Sequence, residues 1–516
     1  MELLQLDAKM LMSLSVIGVI GILVHLYNRL VGKPKRLRSI LTKQGINGPS
    51  PAFLLGNTKD IQKASPSNNI AKAPTSEIPT VHNCFPLLFP IFEQWRIQYG
   101  EVFAFALGNT QILHVTEPQL VKEITTCTSW DLGKPSHQSK DHGPLLGLGV
   151  LTANGALWAK QRKIIAPELY MEKVKAMINL ITEATNTLVN SWNSKIEAGR
   201  GAADINVDAD LRRFSCDVIS RAFFGSSYTK GVKIWGKIRE LQESMAKKIW
   251  LTGIPGLRHL PTKNNREGWK IGKDAANLIL RVAKERHAGH NKDLLQMIIE
   301  GAKESDFSRE ETDRFIVDNC KNIYLAGYET SSLTATWCLM LLAANQDWQD
   351  RVRAEVLQVC QGRNPDADML NKMKQLTMVI HETLRLYPPT TVVSREALQD
   401  LKFGNLTVPK GVNIWLNMVT LHTDPKLWGP DAYKFNPDRF ANGVSGACKF
   451  PSVYMPFGIG TRVCIGQNFA MAELKIILAL ILSKFSFSLS SKYIHKPCLT
   501  LVLEPEHGVE LLMKKL

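Results

Sequence analysis

The sequence predicts one large, mainly α-helical domain with small β-sheets, preceded by a single N-terminal transmembrane helix. Three observations carry this expectation. An apolar run, "LMSLSVIGVIGILVHLY", extends from Leu11 to Tyr27 and is long enough to span a bilayer at the short end of the range. A helix-period pattern dominates from Pro118 to about Thr383. Strand-like runs cluster before and after that stretch.

The apolar run is followed by Arg29, Lys33, Lys35, Arg36, Arg38 and Lys43, against Lys9 alone ahead of it. By the positive-inside rule the bulk of the chain then faces the cytosol. Charge behind the run, and no small-residue cleavage site, argue against a cleaved signal peptide. "GINGPSP", Gly45 to Pro51, breaks regular structure and reads as a stiff hinge. The expected divisions are an anchor over 1–28, a basic and Pro/Gly hinge over 29–60, and the main body over 61–516.

Within the body, the polar stretch from Lys63 to Pro79 reads as a surface loop. Glu101 to Val115 reads as a hairpin turning at Gly108 and Asn109. Amphipathic helices are expected over Val174 to Asn193 and Lys233 to Lys248, and a long helix from about Glu310 to Ala344. Leu401 to Asn417 and Leu499 to Met513 each read as strand, turn, strand.

A chain of 516 residues, 45% hydrophobic, can bury a cofactor-sized cavity. The formal charge of +16 suits nucleic acid, an anionic membrane or an acidic partner, but no basic tract is long enough to favour nucleic acid. Nine scattered cysteines, with no CxxC pair and no histidines at zinc spacing, fit a reducing cytosol rather than disulfides or zinc.

"MPFGIGTRVCIGQNFA", residues 455–470, presents one cysteine on a glycine-rich backbone with an arginine two positions ahead. Haem supplies four equatorial nitrogens and asks a protein for one or two axial ligands, so a lone Cys464 suffices. Gly458, Gly460 and Gly466 let backbone approach a flat macrocycle where a Cβ would collide. Arg462 suits a haem propionate, and the apolar run from Gln467 to Phe485 reads as a buried helix whose N-terminus favours thiolate at Cys464. At average residue frequencies, FGxGxRxCxG arises by chance on the order of once in 10⁵ chains of this length. Phe457, Gly458, Gly460, Arg462, Cys464 and Gly466 resemble the haem-binding loop of the cytochrome P450 monooxygenases.

Other segments share the resemblance, in the family's order. In "HETLRLYPP", Glu382 and Arg385 lie on one helix face, and "FNPDRF" follows; the resemblance implies that Arg439 joins them in a buried triad. "YLAGYETSS", Tyr324 to Ser332, places glycine, acid and hydroxyl inside a helix, where Gly and Thr both lower propensity. A local opening at Gly327 would explain this, and the resemblance implies that Glu329 and Thr330 relay protons to dioxygen. "WAKQR" stacks Trp158 and Arg162 at i and i+4 against a propionate, with Arg395 as a further contact.

The resemblance further implies haem b, O2 as co-substrate, and electrons from NADPH through a membrane-bound cytochrome P450 reductase with an acidic docking face. Lys160, Lys163 and Lys449 lie near the haem-side motifs, but read first as scattered solvated lysines and only second as part of that docking surface. It implies an endoplasmic reticulum location and a lipophilic substrate contacted by Asn322, Ile323, Ala326, Thr390, Thr391 and Val392. "RLRSILTKQGINGPSPAFLLGN" and "AGYETSS" are similar to plant enzymes that oxidise gibberellins and other terpenoids. A gibberellin-type diterpenoid is the expected substrate, with a pentacyclic triterpenoid acid as the alternative. Two rival functions are a reductase-independent haem-thiolate isomerase, against which Thr330 argues, and a non-catalytic haem or sterol carrier.

Overall fold

The computed structural model describes residues 2–64, 80–225, 228–247, 249–285 and 293–516. Most of the polar stretch expected as a loop, 65–79, therefore lies outside the described residues.

The apolar run sits in a helix, Glu2–Tyr27, and among the described residues this is the one place long and apolar enough to cross a membrane. The expected hinge begins differently. The helix continues through a π-helical turn, Asn28–Gly32, into a further helix, Lys33–Lys43. Pro34 does not break it, because a proline in a first helical turn removes an N–H that needs no partner there. Leu37 and Leu41 are buried in a core beneath the main sheet.

That sheet has five strands in the order Val102–Leu107, Thr110–Val115, Asn413–Asn417, Val392–Ala397, Leu132–Gly133. The expected hairpin is its first pair, with Leu107 opposite Thr110 and Gly108 at φ 54° in the turn. Only the pairing of Thr110–Val115 with Asn413–Asn417 is parallel. The two strand-turn-strand readings near the end need correction. Leu401–Phe403 pairs with Leu406–Val408, while Asn413–Asn417 joins the large sheet. Pro497–Leu499 pairs with Leu503–Pro505, while Glu510–Lys515 lies between Ala202–Asn206 and Phe485–Leu489.

The rest of the body is helical around a larger core. Its axis is the helix Arg309–Ala344, started by a capping box in which Ser308 and Glu311 satisfy each other's backbone N–H groups. Helices Met171–Ala198 and Tyr228–Ala246 answer the two amphipathic readings; Met171–Ala198 packs on Gln467–Leu482, and Val207–Phe224 packs on the axis. None of the nine cysteines is joined in a disulfide.

Candidate active site

Cys464 sits between a tight turn and the start of helix Gln467–Leu482. Its N–H donates to the Phe457 carbonyl at 2.8 Å and closes the loop. Gly458 and Gly460 have φ of 71° and 75°, the left-handed region that favours glycine. At Gly460 the close neighbour is the Thr125 carbonyl, 2.3 Å from where a Cβ would stand, so this glycine serves loop docking. Gly466 has an ordinary φ of −91°. Cys464 is accessible, yet burial pushes its thiol up, against the Gly466 N–H and the Arg162 charge. The two observations agree when the sulfur opens onto an internal hollow rather than bulk solvent. Thiolate is thus not favoured by the helix N-terminus alone, although a coordinating metal deprotonates a thiol outright.

Around this loop, cations gather without a carboxylate counterpart among the described residues. Arg462 donates to Ala153 O at 2.9 Å and Asn154 Oδ1 at 3.0 Å, with its guanidinium 3.9 Å from the Trp158 ring centroid. Arg162 donates to Val463 O at 2.9 Å, and its guanidinium lies 5.8 Å from the same ring. Trp158 therefore stacks on Arg462 more closely than on its own helix partner. Burial lowers Arg395 to about 10, and burial with Arg395 and Arg162 lowers Arg462 to about 10. Lys134, which the motifs did not indicate, is lowered to about 7 by burial, Arg395 and Arg462. It follows strand Leu132–Gly133, whose Gly133 pairs with Glu396 next to Arg395, so a sheet contact brings it in. Buried cations that depress one another form a site for a multivalent anion.

The long helix supplies a third wall. Between Phe315 and Ala343 every residue is buried except Leu325, Ala326, Gly327 and Thr330. Ala326 is exposed and shares a face with Thr330, whose hydroxyl donates to the Ala326 carbonyl at 2.8 Å. This long helix therefore has one window between Phe315 and Ala343.

The family model for cytochrome P450 matches residues 81–513. The chain belongs to this family. It is 51% identical over 491 residues to cytochrome P450 714C2 of Oryza sativa subsp. japonica, covering 94% of each chain. It is 46% identical over 517 residues to cytochrome P450 714B2 of the same organism, covering 98% of this chain and 96% of the other. Cytochrome P450 714A2 of Arabidopsis thaliana is 41% identical over 508 residues, covering 96% of each. The resemblance read from the cysteine loop is borne out: the chain is a cytochrome P450 monooxygenase, of a family that works with haem and O2. The inward-opening cysteine and the four cations, Lys134, Arg162, Arg395 and Arg462, fit a haem and its two propionates.

In this P450 the Glu382, Arg385 and Arg439 side chains come together. Arg385 grips Glu382 with two bonds of 2.7 Å, and both are fully buried. Its remaining protons reach His422 O, Ala432 O and Lys434 O. Arg439 Nε lies 3.7 Å from Glu382 and its Nη2 donates to Asp431 at 2.8 Å, making Asp431 a fourth member that local sequence did not reveal.

Two expectations are corrected, and a third residue has an unexpected partner. The helix stays α-helical through Gly327, and a Cβ there would stand 2.7 Å from the Ile219 side chain, so the glycine answers close helix packing rather than an opening. Asn322 does not offer its amide to a substrate. It accepts from Leu151 N at 2.9 Å and donates to Leu146 O at 2.7 Å, clasping the 146–151 loop together with Asp318 and Asn319. Glu329 is buried away from the window and paired with Arg212, which also binds Asp208 and Glu504. Of the other substrate candidates, Ile323 and Thr391 are buried, Thr390 is exposed and Val392 half-buried.

Proposed function

We propose that this P450 hydroxylates or epoxidises a lipophilic terpenoid, a gibberellin-type diterpenoid in the first place, with electrons from NADPH through cytochrome P450 reductase. In this reading it is anchored in the endoplasmic reticulum membrane with its body in the cytosol. What supports it is the family match, an accessible yet deeply set Cys464 with carboxylate-free cations around its loop, and the Ala326 and Thr330 window on the long helix. Haem bound there would supply oxygen activation, helped by electron donation from the thiolate.

The chain's own residues have separable tasks. Cys464 holds the iron, while Lys134, Arg162, Arg395 and Arg462 hold the propionates beside Trp158 and Phe457. Thr330 gives its hydroxyl proton into the hollow. When Arg212 turns toward Asp208 and Glu504, the freed Glu329 carboxylate takes a proton from solvent water and passes it on through water to Thr330. Ala326, Thr390 and Val392 leave an apolar wall for a large skeleton with few polar groups. The similarity of "RLRSILTKQGINGPSPAFLLGN" and "AGYETSS" to enzymes acting on gibberellins supports the substrate class.

Two measurements test this. The dithionite-reduced, carbon monoxide difference spectrum of microsomes should show the red-shifted thiolate band, and Cys464→Ser should abolish it; haem binding without that band would remove Cys464 as ligand. Incubation with NADPH should then oxidise a gibberellin-type acid. An untouched diterpenoid beside an oxidised triterpenoid acid would transfer the assignment to the second class, and turnover without NADPH would point to an isomerase.

A further inference from the structure

The helix beyond the membrane run is held against the body. Asn109 Nδ2 donates to Leu30 O at 2.9 Å, Arg38 Nη2 donates to Pro49 O at 2.9 Å, and Gln44 exchanges bonds of 2.9 and 2.7 Å with the Thr407 backbone. Gly48 packs so closely that a Cβ would stand 1.9 Å from the Ala104 carbonyl. A cavity of about 680 Å³ lies between this helix, the Pro51–Leu54 segment and the Gly108–Asn109 turn. It is separate from the Cys464 loop.

The walls divide by chemistry. Leu30, Val31, Phe53 and Leu54 are apolar, and Lys35, Arg38 and Lys43 are the cations. No carboxylate lines the cavity among the described residues, and the sequence has none from Met10 to Lys59. Arg38 Nη1 is buried and finds no hydrogen-bond partner among the described residues. That N–H is closed to the cavity as it stands, so the attraction for a phosphate rests on the summed charge of Arg38, Lys35 and Lys43 around it. Phe53 is 71% exposed, and Leu30 begins within one helical turn of the end of the apolar run. The groove therefore stands where a bilayer surface begins.

We propose that this groove binds one anionic phospholipid of the membrane that the anchor enters, its phosphate on Arg38, Lys35 and Lys43 and an acyl chain along Leu30, Val31 and Phe53. A soluble phosphate would leave the apolar wall and Phe53 in water. A zwitterionic lipid would bring its own cation into a cavity that already holds three. Because Leu37, Leu41 and the Thr407 contact fix the helix to the body, the bound lipid sets the tilt of the body on the membrane.

The full-length chain, loaded in detergent with a phosphatidylcholine and phosphatidylglycerol mixture, tests this by native mass spectrometry of the retained lipid. The parent should retain phosphatidylglycerol preferentially. Lys35→Gln with Lys43→Gln, and separately Arg38→Gln, should weaken retention about fivefold per base removed. Arg29→Gln with Arg36→Gln, bases outside the groove, should leave the preference intact. An equal loss in both sets would mean general surface attraction and overturn the site, as would a parent with no preference. The carbon monoxide spectrum reports folding, and if Arg38→Gln fails to fold, the lysine pair decides.

Discussion

Two buried arginines, Arg385 and Arg212, show how different two ion clusters can be. Arg385 and Arg439 face Glu382 and Asp431, so charges cancel, and the spare protons of Arg385 end on backbone carbonyls. Such a cluster has one good arrangement. Arg212 alone faces Asp208, Glu329 and Glu504, carried by its own helix, the long helix and the Pro497–Pro505 hairpin. Its N–H groups reach all three at once, but one positive charge cannot neutralise three carboxylates. Burial opposes its charge, but Glu329, Asp208 and Glu504 outweigh burial and hold Arg212 above its ordinary range. The balanced cluster is built to stay fixed, and the unbalanced one to exchange partners.

The sharpest way to break this contrast is to remove one side of the balanced cluster. Arg385→Ala leaves Glu382 charged and buried, and should destabilise the fold by about 3–5 kcal/mol. Thermal unfolding in detergent and loss of the thiolate band would register it. A variant with parent stability would show that the cluster is not a lock.

Glu473 is the limiting case, a buried carboxyl with hydroxyls for company instead of a cation. Ser215 donates to it at 2.8 Å, and burial, opposed by Ser215 and Ser331, raises it to about 7 from its ordinary 4.5. The folded protein therefore binds more protons than the unfolded chain between these values, and stability falls as pH rises through that window. The contribution is full below 4.5 and lost above 7, about 3 kcal/mol in all. Glu473→Gln should match the parent near pH 5 and exceed its stability by about that amount at pH 8. Parallel unfolding curves across this range would place a hidden cation near Glu473.

What the sequence disclosed follows the same division. The Cys464 loop and the Glu382 and Arg385 pair were legible because their chemistry is complete within a few residues. Lys134 was not, because only the pairing of Gly133 with Glu396 brings it to the haem side. Arg212 was not, because its partners Glu329 and Glu504 lie 117 and 292 residues away. Gly327 was misread for a physical reason: a glycine inside a helix fits either an opening or a close neighbour, and Ile219 decides between them. The break at Gly45 to Pro51 was legible from its glycines and prolines, but the helix Lys33–Lys43 ahead of it was not, because its bases and Pro34 mask the apolar face made by Leu37 and Leu41.

Exchange at Arg212 is tested at Glu329 next. Glu329→Gln keeps the shape and removes the acid, so the thiolate band should persist while product formation falls about 100-fold, with NADPH still consumed. Unchanged turnover would make Glu329 a structural partner of Arg212 only.

The smallest effect separates exchange from simple pairing. Burial, opposed by Arg212, keeps the Glu504 carboxyl above its ordinary range. At low pH it is protonated and the parent already resembles Glu504→Gln, so the two should turn over alike. As pH rises through the raised value, ionised Glu504 draws Arg212 from Glu329 in the parent alone. The parent should then run about threefold faster than Glu504→Gln, a coupling of about 0.7 kcal/mol between neighbouring charges. In Glu329→Gln the same second substitution should change nothing, because the acid that exchange would release is gone. A threefold loss that persists at low pH, or in the Glu329→Gln background, would mean that Glu504 merely braces the hairpin and that Arg212 does not exchange.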